Sequence, residues 1–222
     1  MTTKLLNNEV IEQVQEVFDG LSEPVQVLFF GKGFDCDYCE DTLQLIREVV
    51  DISDKLELTE YDIDEDAAIA GQYNMDKAPG LVIAGLDGEQ ILDYGIRLAG
   101  IPSGHEFSSL INTMLMVSAR DSGLNQETRE FLQELNQPVQ MLVFVTPSCP
   151  YCPRSVILAH QMALESPMVE AEMIEATEFP ELSTRFGVSG VPQTTINAGA
   201  GMVVGAVPEG QLIAEINNAL NK

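Results

Sequence analysis

The residues of this chain with the clearest chemical potential are its four cysteines. They form two Cys-x-x-Cys motifs, Cys36/Cys39 and Cys149/Cys152, so none remains for a framework of structural disulfides. Two sulfurs at positions i and i+3 near the start of a helix are close enough to form and open a disulfide. Pairs of such motifs also bind zinc or iron–sulfur clusters. The motifs alone therefore leave redox chemistry and metal binding open.

The context of the motifs favours redox chemistry. The two pairs are separated by 109 residues, whereas the pairs of a zinc ribbon are commonly about 15 to 20 residues apart. Each pair also follows a short apolar run typical of a buried strand and precedes an amphipathic pattern typical of a helix. A four-cysteine zinc or iron–sulfur protein remains the alternative from a different functional class.

The chain repeats itself at a fixed interval. Cys36, Cys39 and Pro79 recur 113 residues later as Cys149, Cys152 and Pro192. This recurrence predicts a duplicated structural unit. We place the first unit at residues 1–118 and the second at residues 119–222, with a short polar linker near 118–123.

Each unit shows the same order of predicted elements. An amphipathic helix near residues 8–20 and 124–136 precedes a buried strand at 25–30 and 139–145. A helix after the cysteines, a strand, a short helix, two strands and a final helix follow. The fold class is therefore α/β, with a βαβαββα unit present twice.

The position of each cysteine predicts its role. The amino terminus of a helix stabilises a thiolate, so Cys36 and Cys149 are the expected nucleophiles. Cys39 and Cys152 are expected to resolve the mixed disulfide. Tyr38 and Tyr151 flank the sulfurs and could shield them or contact clients, although ordinary exposed rings at a turn explain them equally well. Pro150 also flanks the sulfurs, and a proline there suits the first turn of a helix.

The repeated prolines predict a client-binding loop. Ala78–Pro79 and Val191–Pro192 each precede an apolar strand. A cis proline facing the sulfurs would leave the backbone of the preceding residue free to pair with an extended client peptide. A proline that merely starts a strand is the plainer interpretation, but its recurrence favours the functional one.

Composition excludes several classes of partner. The formal net charge of −24 repels nucleic acids and anionic membrane surfaces. No apolar run of about 18 residues is present, and the sequence begins without the pattern of a secretory signal. We therefore expect a cytoplasmic protein that binds neither nucleic acid nor membrane.

The segments 146–152 and 190–193 resemble the active site and the cis-proline loop of glutaredoxins. With two such units and the segment 100–107 closing the first, nearly the whole chain resembles the glutaredoxin-like protein disulfide oxidoreductases. The resemblance implies two tandem thioredoxin-like units that exchange disulfides with protein clients. It also implies recharging by a thioredoxin-reductase-like flavoprotein, with no bound cofactor and no metal.

A second resemblance offers an alternative function. The chain is similar to the amino-terminal domain of the flavoprotein that reduces bacterial peroxiredoxins, although that domain keeps only one cysteine pair. An electron relay to a peroxiredoxin is therefore the alternative within the same chemistry. No glycine fingerprint for a dinucleotide is present, so electrons would come from a partner.

One departure from thioredoxins concerns proton transfer. Phe30 and Val143 stand six residues before the first cysteine of each pair, where thioredoxins carry a buried carboxylate. Asp62 and Glu175 occupy matching places at the end of the next strand and could substitute, although solvated strand ends are the preferred interpretation. We assign no acid–base role to the two histidines, at positions 105 and 160.

The flanking charges predict that the two sites differ. Four acidic residues surround Cys36, whereas Cys149 has only Arg154 nearby in the sequence. Like charge disfavours a thiolate, so Cys149 is expected to have the lower thiol pKa and the second pair to be the more oxidising. In variants that keep one pair each, redox titration should give the first pair the lower reduction potential. The reverse order would contradict the prediction that electrons run from the first pair to the second.

Overall fold

The computed structural model describes residues 4–221, and its helices and strands follow the same order in both halves of the chain. The first half contains α1 (Asn8–Phe18), β1 (Val25–Gly31), α2 (Cys39–Val50), β2 (Leu56–Asp62), α3 (Ala67–Gln72), β3 (Gly80–Asp87), β4 (Gln90–Leu92), β5 (Ile96–Ala99) and α4 (Glu106–Ala119). The second half contains α5 (Gln126–Gln133), β6 (Val139–Val145), α6 (Cys152–Glu165), β7 (Val169–Glu175), α7 (Pro180–Arg185), β8 (Gln193–Ile196), β9 (Gly201–Val204) and α8 (Glu209–Leu220). The predicted α/β class and order of elements are confirmed, except that the last strand of the first unit is broken into β4 and β5.

The strand before each cysteine pair lies inside the sheet. β1 pairs parallel with β2 and antiparallel with β3, and β6 pairs in the same way with β7 and β8. Every residue of β1 is buried, as a continuous apolar run requires when both faces of a sheet are covered. The cysteine motif of each unit therefore follows a rigid central strand.

The two units share one sheet. β5 of the first unit pairs parallel with β7 of the second, from Ile96 opposite Ala171 to Ala99 opposite Ile174. Among the described residues the strand order is β2-β1-β3-β5-β7-β6-β8-β9, with β4 beside β3. The division of the chain at residues 118 and 119 stays a prediction.

A buried arginine accompanies the break between β4 and β5. The guanidinium of Arg97 is 2% exposed and donates two hydrogen bonds of 2.7 Å to the carboxylate of Asp93 and one to the carbonyl of Tyr73. Gly95 in the break has a φ of +73°, and a Cβ there would lie 2.7 Å from the carbonyl oxygen of Val169. Only glycine therefore lets the two units approach this closely.

A buried histidine links the helices of the two units. α4 follows β5 and α6 follows β6, and because these strands are parallel the two helices run in the same direction. His160 of α6 is fully buried; its Nδ1 bonds Thr113 of α4 at 2.8 Å, and its Nε2 lies 3.3 Å from the carbonyl of Arg97. Burial lowers the pKa of His160 to about 4, so the ring is neutral at pH 7.

Removing the hydroxyl that bonds His160 should destabilise the protein. Thr113→Val keeps the volume but leaves the buried ring nitrogen without this partner, which costs about 1–3 kcal/mol. Denaturant unfolding at pH 7 measures the loss. Thr184→Val is the control, because that side chain is exposed and bonds only the carbonyl of Pro180 in its own helix. Equal stabilities of the two variants would contradict the proposed importance of the bridge.

Candidate active sites: two disulfides in a shared sheet

Each cysteine motif forms a disulfide at the entrance to a helix. Cys36 bonds Cys39 and Cys149 bonds Cys152, with a Cα–Cα separation of 5.5 Å in both pairs. This pairing within each motif does not favour the four-cysteine metal site. Residues 4–221 contain no group of three or more His, Cys, Asp or Glu side chains that could hold a metal ion.

The helices begin later than the sequence predicts. α2 starts at Cys39 and α6 at Cys152, so Cys36 and Cys149 lie in the turn just before the helix rather than in its first turn. The N–H of Cys149 donates to the carbonyl of Thr146 within that turn. The first cysteines therefore lie just ahead of a helix start, whose unpaired N–H groups favour a thiolate.

The two disulfides differ in exposure. Cys149 is 7% exposed and Cys152 is fully buried, whereas Cys36 is partly exposed above a buried Cys39. The acidic residues around Cys36 and the cation Arg154 all point to solvent, where water and salt screen their charges. The predicted difference between the two thiol pKa values stays a prediction.

The residues that flank the motifs lie at the surface. Tyr38 is 45% exposed and Tyr151 is 64% exposed, each immediately before the first residue of a helix. Pro150 is also exposed and precedes α6, while Pro153 occupies the first turn of that helix. These side chains border the sulfurs without covering a core.

The prolines occupy equivalent places in both units. The Ala78–Pro79 and Val191–Pro192 peptide bonds are both cis. The carbonyl of each proline accepts a hydrogen bond from a glycine N–H, at 2.9 Å from Gly100 to Pro79 and at 2.8 Å from the equivalent residue 205 to Pro192. Ala78 and Val191 pack beside the core that contains the cysteines.

A groove beside the first disulfide includes residues of both units. It has a volume of about 360 Å³ and is lined by Asp35, Cys36, Asp37, Tyr38, Ala78, Pro79, Thr177, Glu178 and Pro180. The last three residues belong to the second unit. The first disulfide therefore lies in a groove that the first unit does not form alone.

The two strand-end carboxylates have different surroundings. Asp62 is half-buried and accepts hydrogen bonds from the backbone N–H groups of Glu65, Asp64 and Gly33, which hold its pKa below the usual value. Glu175 is 1% exposed, and its Oε2 accepts three hydrogen bonds from Thr177 and Glu178. The interpretation as a solvated strand end is therefore wrong for Glu175, because β7 lies inside the sheet.

A buried glutamate at the start of α4 is not among the residues that the sequence singles out. Glu106 begins α4 and is fully buried; its Oε2 accepts a 2.6 Å hydrogen bond from Ser109, and its Oε1 has no partner among the described residues. Burial raises its pKa to about 7, against a smaller opposing effect of the Ser109 bond. A glutamate at the start of a helix usually faces solvent, where it complements the helix dipole, so no local signal marked this one.

Glu106 lies at the level of the second cysteine pair. The N–H of the preceding His105 donates to the carbonyl of Pro147, two residues before Cys149. Thr113 stands seven residues after Glu106 on α4, and His160 stands eight residues after Cys152 on α6. These two residues bond each other, and their helices are parallel. At about 1.5 Å per residue, Glu106 and Cys152 are at nearly the same height.

The fold and the two disulfides define a thiol–disulfide oxidoreductase. The family model described as a thioredoxin domain matches residues 139–218. A protein disulfide oxidoreductase from Aeropyrum pernix K1 is 30% identical, with a TM-score of 0.87 over 97% of this chain and 94% of that one. This chain therefore belongs to the glutaredoxin-like protein disulfide oxidoreductases with two tandem thioredoxin-fold units.

The chain is also similar to part of a larger protein. The NTD_N/C domain of alkylhydroperoxide reductase AhpF from Enterococcus faecalis is 26% identical, with a TM-score of 0.86 over 95% of this chain and 99% of that one. The AhpF-type alkyl hydroperoxide reductase polypeptide of Pseudomonas aeruginosa is 24% identical over 193 residues. The chain spans about a third of the length of such curated relatives. Among residues 4–221, no helix is long and apolar enough to cross a bilayer.

The burial of Glu106 predicts a pH-dependent stability. The pKa of Glu106 is about 7 in the folded state, above its ordinary value of 4.5. The contribution of Glu106 to the free energy of unfolding is therefore complete below pH 4.5 and is lost as the pH rises through 7. Relative to Glu106→Gln, the wild type should lose about 2 kcal/mol of unfolding free energy between pH 5 and pH 8.

Denaturant unfolding of the oxidised proteins at the two pH values tests this. Glu134→Gln, at an exposed position in the second unit, is the control and should follow the wild type. If Glu106→Gln follows the wild type as well, the carboxyl group does not titrate as its burial requires.

Proposed function

We propose that the chain carries electrons from an external reductase to the disulfides of protein clients, using the pairs Cys36/Cys39 and Cys149/Cys152. The observation that supports this most directly is that each unit holds a disulfide at a helix entrance. A disulfide within a cytoplasmic chain is typically catalytic rather than structural. A cytoplasmic location suits this cycle, because the surrounding thiols are kept reduced.

The exchange proceeds in two displacements. In the reduced protein the thiolate of Cys149 attacks one sulfur of the client disulfide, and the other client sulfur leaves as a thiolate that takes up a proton. Cys152 then loses its proton and attacks the sulfur of Cys149, which releases the second client sulfur as a thiol. Two electrons have passed to the client, and the protein holds its disulfide again. Cys36 and Cys39 would act in the same way.

Glu106 is well placed to assist the second displacement. We propose that it accepts the proton of Cys152, because both lie at the same end of parallel helices and the sulfur is sealed from solvent. A carboxyl group with a pKa of about 7 can both accept and return a proton at neutral pH. Glu106 therefore takes the place of the thioredoxin carboxylate that is absent before Cys149.

The proline loops and the exposed aromatic rings form the proposed client surface. Ala78 lines the groove that contains Cys36, Val191 is its equivalent in the second unit, and their backbone groups would pair with an extended client segment. Tyr38 and Tyr151 border the same entrances and would contact the client's side chains. The partially exposed ring of a tyrosine suits such a wet contact.

Two kinds of partner follow from the family resemblance. We propose that a thioredoxin-reductase-like flavoprotein supplies the electrons, as the likeness to the protein disulfide oxidoreductases suggests. The likeness to AhpF, which covers almost all of the matched domain, favours a peroxiredoxin as a second candidate acceptor. Peroxide consumption in a mixture of reductase, this chain and a peroxiredoxin would identify that role.

Insulin reduction with dithiothreitol as electron source tests the proposed function. Replacing all four cysteines with serine should remove more than about nine-tenths of the activity, because no sulfur remains to form the mixed disulfide. Cys149→Ser/Cys152→Ser should lose more activity than Cys36→Ser/Cys39→Ser if the second pair faces the client. Ser148→Ala, next to Cys149 at an exposed position, should stay active. Full activity of the four-serine variant would rule out disulfide exchange.

A further inference from the structure

The groove beside Cys36 is lined in part by a glutamate of the other unit. Glu178 lies in the loop between β7 and α7 of the second unit, and it lines the 360 Å³ groove together with Cys36 and Pro79 of the first unit. Its Oε1 accepts a 2.7 Å hydrogen bond from the N–H of Ile101, so its carboxyl group is tied to the first unit. Its Oε2 is buried and has no hydrogen-bond partner among the described residues.

The backbone around Glu178 is shaped to admit this carboxyl group. Gly100 has a φ of +92°, and a Cβ there would lie 2.9 Å from Oε1 of Glu178. The N–H of Glu178 donates to Oε2 of the buried Glu175 at 2.7 Å. The position of the carboxyl group is therefore fixed from both units.

The equivalent residue of the first unit has no such role. Glu65 stands 113 residues before Glu178, at the same place after β2. β2 is an outer strand of the sheet, so Glu65 is exposed, whereas β7 is an inner strand next to β5. Only the second copy of this loop overhangs another unit's disulfide.

We propose that Glu178 regulates the reactivity of Cys36 from across the unit boundary: the neutral carboxyl group leaves the Cys36 thiolate undisturbed, and the carboxylate repels it. This inference rests on the proposed disulfide exchange at the first pair and adds pH regulation to it. Like charges in a partly desolvated groove disfavour each other. Deprotonation of Glu178 would therefore raise the pKa of Cys36, so that Cys36 ionises at a higher pH.

The pKa of Glu178 supports a change of charge in the useful range. Burial raises this pKa to about 7; the bond from Ile101 lowers it and the charge of Glu175 raises it. Charged or titratable groups face Glu178 from each neighbouring element. Across the groove these are Asp35, Asp37 and Tyr38.

A second cavity on the other side of Glu178 contains further charges. It is lined by Asp76 and Lys77 from the loop before the cis proline, and by Glu181 and Arg185 from α7. Lys77 is engaged by Asp76 and Glu172 at 2.5 Å and 2.9 Å. All these charges are present in the wild type and in Glu178→Gln, so comparing the two isolates the effect of Glu178.

The test measures the ionisation of Cys36 directly. In the full chain with Cys149→Ser/Cys152→Ser, the reduced protein is alkylated with iodoacetamide between pH 5 and 9.5, and mass spectrometry gives the rate at Cys36. Glu178→Gln should lower the midpoint of this profile by about one pH unit, because removing a neighbouring carboxylate favours the Cys36 thiolate. The rate at pH 7 should rise several-fold.

Matched variants separate charge from shape. Glu178→Asp keeps the charge and should shift the midpoint back towards the wild type. Glu65→Gln removes a carboxylate from the same loop position of the other unit and should leave the profile unchanged. A folded Glu178→Gln variant whose Cys36 profile coincides with the wild type would overturn the proposal.

Insulin reduction by the unsubstituted chain is measured separately. If the chain does not reduce insulin, the proposed function is refuted, whereas the alkylation profiles of Cys36 decide the role of Glu178.

Discussion

The parallel pairing of β5 with β7 is the contact on which the rest of the molecule depends. It places two four-residue stretches of backbone side by side in the middle of a continuous sheet, and it brings α4 alongside α6. Several polar groups that this contact buries are paired across the boundary, as in the bond between His160 and Thr113 and the ion pair of Lys77 with Glu172. Burying these groups is tolerable because each of them finds a partner there.

Each unit contributes one buried carboxyl group with a proposed acid–base role at the other unit's disulfide. Glu106 comes from the first unit and lies level with Cys152 of the second, while Glu178 comes from the second unit and lies in the groove of Cys36. Desolvation raises the pKa of both carboxyl groups to about 7. The proposed roles of the two glutamates would link the redox chemistry of each unit to the presence of the other.

Local patterns were sufficient to predict the parts of this structure that depend on local physics. The strand at 139–145 and the pairing of each cysteine with its neighbour three residues away follow from side-chain periodicity and helix geometry. The burial of Glu175, Glu106 and Glu178 did not, because it depends on which strand lies next to β7. That neighbour is about 75 residues away in the chain, and strand pairing over such a separation leaves no local trace. The break between β4 and β5 is unpredictable for the same reason, since Gly95 is required by the approach of Val169.

The two units associate head to tail, because β5, the counterpart of β9, pairs with β7, the counterpart of β2. Such an association does not close on itself, and in principle each free end could receive a further copy without limit. The free β2 edge carries the exposed side chains of Glu57 and Glu60, and the free β9 edge carries those of Met202 and Val204. Charged side chains on an outer strand discourage further pairing. The two glutamates on the β2 edge therefore disfavour the addition of a further strand there.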